Sequence, residues 1–168
     1  MKGMNKRILS TFILILGLSV ALFAQTKDDV VNTYNKGVEM AKTDPKAAVA
    51  IFQQALGMAK TVGAEADDIK QLVESQLPAL QYKVATTLYK EKNIDDAIPN
   101  FKLAADYAEL YGDDATQKKA EDIIPKLIFS KGNGFYKAKT YDSALVYFDK
   151  ALELDPDYAK VYLSKGMV

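Results

Sequence analysis

TYDSALVYFDKALELDPDYAKVYLSKG, residues Thr140 to Gly166, reads as one helix, a turn and the opening of another. Ala144, Phe148 and Ala151 are spaced four and three apart, so they share one face of a helix. Two small residues flanking one ring let a neighbouring helix approach closely while the phenyl group fills the gap. Asp155-Pro156 stops the helix, because the residue before a proline is pushed out of the α region. The same small-x-x-x-aromatic-x-x-small pattern recurs as Ala48, Phe52, Ala55 and as Ala97, Phe101, Ala104. Ala48 to Ala97 is 49 residues and Ala97 to Ala144 is 47; Pro78 and Pro125 each stand 19 residues ahead of the alanine that follows. Three copies and a proline at a shared register define an internal repeat. Valine and isoleucine recur at helical spacing rather than in alternation, so the expected fold class is all-α.

The chain has 168 residues, which fits one domain or one short repeat array. Hydrophobic and charged fractions of 49% and 26% are those of an ordinary globular chain, which argues against wholesale disorder. Formal charge is zero overall, and without the first 24 residues, which carry three bases and no acids, it becomes −3. That balance argues against nucleic acid as a partner, since phosphate neutralisation needs a basic face. There are no cysteines and no histidines, so disulfides, thiolate metal sites and the commonest neutral-pH acid–base group are excluded.

Met1 to Ala24 has the parts of a secretory signal: basic Lys2, Lys6 and Arg7, then a mostly apolar run of 16 residues from Ile8 to Phe23. Cleavage is expected after Ala24, leaving Gln25 as the new N-terminus and the protein exported, periplasmic or extracellular. An uncleaved anchor is the alternative and the only membrane attachment expected; the run is short for a span and is diluted by Ser10, Thr11 and Ser19.

Beyond the signal, Asp28 to Ala41 predicts a helix with Val30, Val31, Tyr34, Val38 and Ala41 on one side. Asp44-Pro45 opens a second, as N-cap and first helical residue, and Gly63 closes it as a left-handed C-cap. Asp67-Asp68 starts a longer segment through Leu88, interrupted by Pro78. A helix carrying Ala97, Phe101, Ala104, Tyr107 and Ala108 follows, closed by Gly112. Another long segment begins at Asp113-Asp114 and is interrupted by Pro125. The two prolines either kink one long helix or separate two, with a kink preferred.

From Pro125 to Pro156 the chain resembles the tetratricopeptide repeat (TPR), a helix–turn–helix unit of roughly 34 residues. Gly132, Phe135, Tyr136, Ala144, Phe148, Ala151 and Pro156 stand where that pattern has glycine, aromatics, alanine, aromatic, alanine and proline, and Asn133, Tyr141 and Asp142 match too. A second copy keeps Tyr89, Asp95, Ala97, Phe101 and Ala104, with Ala85 in place of the glycine. The first keeps Gly37, Asp44, Ala48, Phe52 and Ala55, with a turn one residue shorter. The resemblance implies a TPR-like α-solenoid over residues 25–168, with copies near 28–62, 66–111 and 113–157 and the start of a further repeat at 158–168. Three departures stand out. The repeats exceed the family length by roughly four helical turns. Pro99 falls within a rear helix, which it should weaken. The closing stretch YAKVYLSKGMV is not the polar cap that arrays need, and Val161, Tyr162, Leu163 and Met167 are expected to lack a partner.

No catalytic, cofactor or metal residues emerge, and an enzyme is not expected. The acid pairs Asp28-Asp29, Asp67-Asp68, Asp95-Asp96 and Asp113-Asp114 fall at predicted helix starts, where they cap free N–H groups and suit the helix dipole. The Asp155 to Asp157 stretch lacks the glycine and glutamate of a calcium loop, and Gly132 to Gly134 lacks the lysine–serine pair of a phosphate loop. Gly132 reads as a close helix crossing, while Gly134 costs helix stability of roughly 1 kcal/mol.

The resemblance implies a concave face lined by front helices, with a protein or peptide as partner. Carried over position by position, its groove residues are Tyr34 and Lys42 in the first copy. The second offers Tyr82, Thr86, Tyr89 and Lys90, and the third Phe129, Asn133, Tyr136 and Lys137. The competing reading has the tyrosines packed between repeats and the lysines solvated. The expected function is a non-catalytic interaction scaffold of the cell envelope. The alternatives are a repeat spacer or sensor portion of a longer exported protein, and self-association through the C-terminal end.

Overall fold

A computed structural model describes residues 25–168; the expected signal segment, 1–24, lies outside the described residues. Seven α-helices run α1 Lys27–Thr43, α2 Pro45–Val62, α3 Asp67–Lys90, α4 Ile94–Tyr111, α5 Asp114–Lys137, α6 Tyr141–Leu154 and α7 Ala159–Lys165. A 3₁₀ turn, Ala64–Ala66, joins α2 to α3, and no strand occurs among the described residues. The helices pack in consecutive pairs, and α1 also touches α3, as α3 touches α5.

The repeated phenylalanines hold these pairs together. Phe52, Phe101 and Phe148 are 1%, 0% and 0% exposed, and the alanines flanking each are fully buried. Opposite two of the rings stands a glycine of the preceding helix. A Cβ built on Gly37 would lie 2.4 Å from Phe52 Cδ1, and one on Gly132 would lie 2.7 Å from Phe148 Cδ1. Both glycines are therefore notches for a phenyl ring, as expected for Gly132. Gly134 meets nothing within 4 Å. Two apolar clusters result, one around Phe52 and one around Phe101 and Phe148, with Leu88 packed against both.

Pro78 and Pro125 do not separate helices: α3 and α5 run through them, and both prolines are buried. Pro99 likewise lies inside an uninterrupted α4, at an exposed position.

The caps differ in detail from the sequence reading. Asp44 and Asp113 are N-caps, their carboxylates accepting from the amides of Ala47 and Thr116 at 3.0 Å. Asp29 and Asp96 instead sit third in their helices behind the caps Thr26 and Asn93. Asp67-Asp68 follows Ala66, which caps nothing with its side chain; Asp68 pairs with Lys27 at 2.7 Å instead. Gly112 closes α4 in the left-handed region (φ 74°, ψ 33°). Gly63 has positive φ but extended ψ (83°, −146°), because the chain turns straight into the 3₁₀ segment rather than curling back on α2.

The expectation that Val161 lacks a partner is also corrected. Val161 is 0% exposed and belongs to the cluster around Phe148, whereas Tyr162, Leu163 and Met167 are 55%, 71% and 63% exposed. A short α7 folds back far enough to bury one residue face and no more.

Candidate functional site

The ten residues proposed for a groove fall into two classes. Tyr34, Tyr82 and Phe129 hold the same register in α1, α3 and α5, three residues ahead of Gly37, Ala85 and Gly132. That places each ring over the buried phenylalanine of its own pair. Tyr34 stacks on Phe52 at 5.6 Å, Tyr82 meets Phe101 edge-on at 5.1 Å, and Phe129 lies 5.5 Å from Phe148 and 5.2 Å from Tyr158. All three rings are half-buried, and the Tyr34 hydroxyl accepts from Gln76 Nε2 at 2.6 Å. Thr86 is held too, its hydroxyl donating to the carbonyl of Tyr82 at 2.9 Å.

Most of the second class sits about two turns further on. Tyr89 is 44% exposed; Tyr136 is half-buried, 5.7 Å from Tyr141. Asn133 is half-buried in the same stretch of α5. Lys42, Lys90 and Lys137 are exposed and occupy the last turn of α1, α3 and α5. A cation there is favoured by the helix dipole, which accounts for the row without any ligand. Lys42 also pairs with Glu39 at 2.8 Å. The helices thus bring Tyr89, Lys90, Tyr136 and Lys137 to corresponding helix ends, while Tyr34, Tyr82 and Phe129 are part of the packing.

Several polar links escape a linear reading. Gln81 is 2% exposed and donates to Asn100 Oδ1 at 2.7 Å. Lys83 Nζ donates to the carbonyl of Ala41 at 2.8 Å, tying α3 to the end of α1. Lys131 pairs with Asp95 and lies 4.8 Å over the Tyr147 ring, joining α4, α5 and α6. Each needs a neighbour far off in sequence, and the equivalent positions in the other copies carry different residues (Ile128 for Gln81, Ser130 for Lys83, Val84 for Lys131), so neither local pattern nor repeat flags them. Two clefts of about 200 and 440 Å³ also repeat, one between the start of α2 and the end of α3, the other between the start of α4 and the end of α5. Val84, Thr87 and Leu88 line the first where Lys131, Gly134 and Phe135 line the second.

Local contacts shift the titration of six side chains. Hydrogen bonds from Thr26, Lys27 and Thr116 hold Asp29, Asp68 and Asp113 below the usual carboxylate range. Burial, aided by Glu74 and Tyr107, raises Tyr111; burial and Asp155 raise Tyr158. The Asp95 and Tyr147 contacts raise Lys131. Every one of these shifts moves away from neutral pH, the wrong direction for a general acid or base. Among the described residues no three acidic side chains converge as a metal-binding group, and no helix is long and apolar enough to cross a membrane. No family model, no curated protein and no solved structure matches the chain.

Proposed function

We propose that this chain is a TPR-like, non-catalytic interaction scaffold, exported to the cell envelope, that holds an extended segment of a partner protein against the ends of α1, α3 and α5. The observation that supports it most directly is the corresponding placement of Tyr89 with Lys90 and Tyr136 with Lys137. Successive front helices of such an array lie about 8–10 Å apart, so an extended chain crossing them would meet a cation every three residues or so, and an aromatic beside it at α3 and α5. Aromatic side chains give contact area at low entropic cost, and lysines suit a carboxylate. The partner segment is accordingly apolar with acidic side chains.

Capture from an envelope extract tests this with Tyr89→Ala plus Lys90→Glu, and separately with Lys137→Glu. These side chains are exposed, so the expected result is loss of captured partner at unchanged melting temperature. Capture undiminished by both variants would remove the groove.

A further inference from the structure

The repeat supplies its own template for a second binding site. At the joint between α2, α3 and α4, Tyr107 packs against the cluster that contains Leu56 and Leu77, and its hydroxyl accepts a hydrogen bond from Gln53. The joint between α4, α5 and α6 is built from the corresponding positions one copy on. There Lys102 stands for Gln53, Ala105 for Leu56, Asp106 for Gly57, Glu121 for Glu74, Ile124 for Leu77 and Leu154 for Tyr107. Ala105 and Leu154 are smaller than their counterparts and remove apolar volume, Asp106 and Lys102 are larger and bring charge to the rim, and these six residues line a cleft of about 470 Å³. That lies within the range of small-ligand sites. Leu154 is 53% exposed beside it, and Tyr158, the counterpart of Tyr111, is turned onto Phe129 at 5.2 Å instead of toward a tyrosine neighbour. The second joint is the first joint without its phenol.

We infer that this cleft takes a tyrosine side chain from a partner polypeptide, seated as Tyr107 is seated at the first joint. Ala105, Ile124 and Leu154 supply the apolar walls for the ring. Lys102, at the place of the Gln53 donor, gives a hydrogen bond to the phenol oxygen, and the carboxylate of Glu121 or Asp106 accepts a hydrogen bond from the phenol O–H. One cation against two acids leaves the rim net negative, so a neutral phenol is favoured and an aromatic carboxylate repelled. The site uses none of the groove residues and stands whether or not the groove binds anything.

The test is a methyl NMR titration of the full chain, labelled at alanine, isoleucine and leucine, with p-cresol, the tyrosine side chain cut at its Cα. Shifts are expected at Ala105, Ile124 and Leu154, saturating in the millimolar range, with Leu56 and Leu77 still. Acetyl-Gly-Tyr-Gly-amide should move the same methyls, and phenylacetate should move none. Leu154→Tyr, which supplies the ring in cis, should abolish the response and raise the melting temperature. Tyr107→Leu should add a second responding set at Leu56 and Leu77. The proposal is overturned by silence at Ile124 and Leu154, by an equal response to phenylacetate, or by undiminished p-cresol binding in Leu154→Tyr. Binding of p-cresol without the tyrosine peptide would make the cleft a small-molecule site and equally overturn the docking assignment.

Discussion

At the scale of single residues, two glycines two positions apart have opposite meanings. Gly132 is a notch: its missing Cβ leaves room for Phe148, whose ring is fully buried and has nowhere to go. Gly134 faces open space and carries only the helix cost of glycine. Gly132→Ala is expected to lower stability by about 1 kcal/mol, overpacking outweighing the gain in helix propensity. Gly134→Ala should raise it by about 1 kcal/mol, since nothing opposes the same gain. Paired denaturant melts check the signs; two changes in the same direction would refute the notch. Ala85 holds the corresponding position in the middle copy, fully buried in the cluster that contains Phe101, so that pair is built with one more methyl.

At the scale of elements, the turns after α3 and α5 are the same device. Lys92 and Lys139 take φ of 63° and 61°, and each turn closes on itself, with Asn93 bonding back to Leu88 and Thr140 back to Phe135. This is the left-handed helix ending that glycine usually supplies, here imposed on a side chain that disfavours it. Lys92→Gly and Lys139→Gly should each stabilise by about 0.5–1 kcal/mol, read as a rise in melting temperature. The N-cap of α5 gives a pH signature. Asp113 has a folded-state pKa held down by Thr116, so its contribution is complete above the ordinary carboxylate range and is lost as pH falls through the depressed value. Asp113→Ala should cost about 1 kcal/mol at neutral pH and progressively less in acid. A pH-independent loss would show that the cap charge is idle. Elements were the most legible level of the sequence, because Asp44-Pro45, Gly112 and the alanine–phenylalanine faces are decided by neighbours within a turn or two. What escaped depends on partners dozens of residues away. Val161 finds the Phe148 cluster, Asp68 finds Lys27 rather than a cap, and Tyr34, Tyr82 and Phe129 settle onto phenyl rings that periodicity places but does not orient.

At the scale of the whole molecule, the organisation of the contacts predicts how stability is distributed. Each helix packs mainly on its predecessor and successor, and the two apolar clusters meet at Leu88. Where each helix contacts chiefly its neighbours in sequence, stability is expected to approach a sum of local units and nearest-neighbour interfaces, so a lesion is felt where it is made and fades with distance. Phe148 is the place to test this, since it is fully buried, fills the Gly132 notch and shares a cluster with Val161 of α7. Phe148→Ala removes a buried ring at a cost of about 3–5 kcal/mol, a large fraction of the stability of an ordinary domain. Native-state hydrogen exchange should then show amides of α5, α6 and α7 losing most of their protection. Those of α1 and α2, built around Phe52 in the other cluster, should keep most of theirs. Phe52→Ala should invert the pattern, loosening α1 and α2 first. A uniform loss of protection from α1 to α7 in both variants would mean that the chain opens as one cooperative unit, and the picture of locally stabilised pairs would have to be given up.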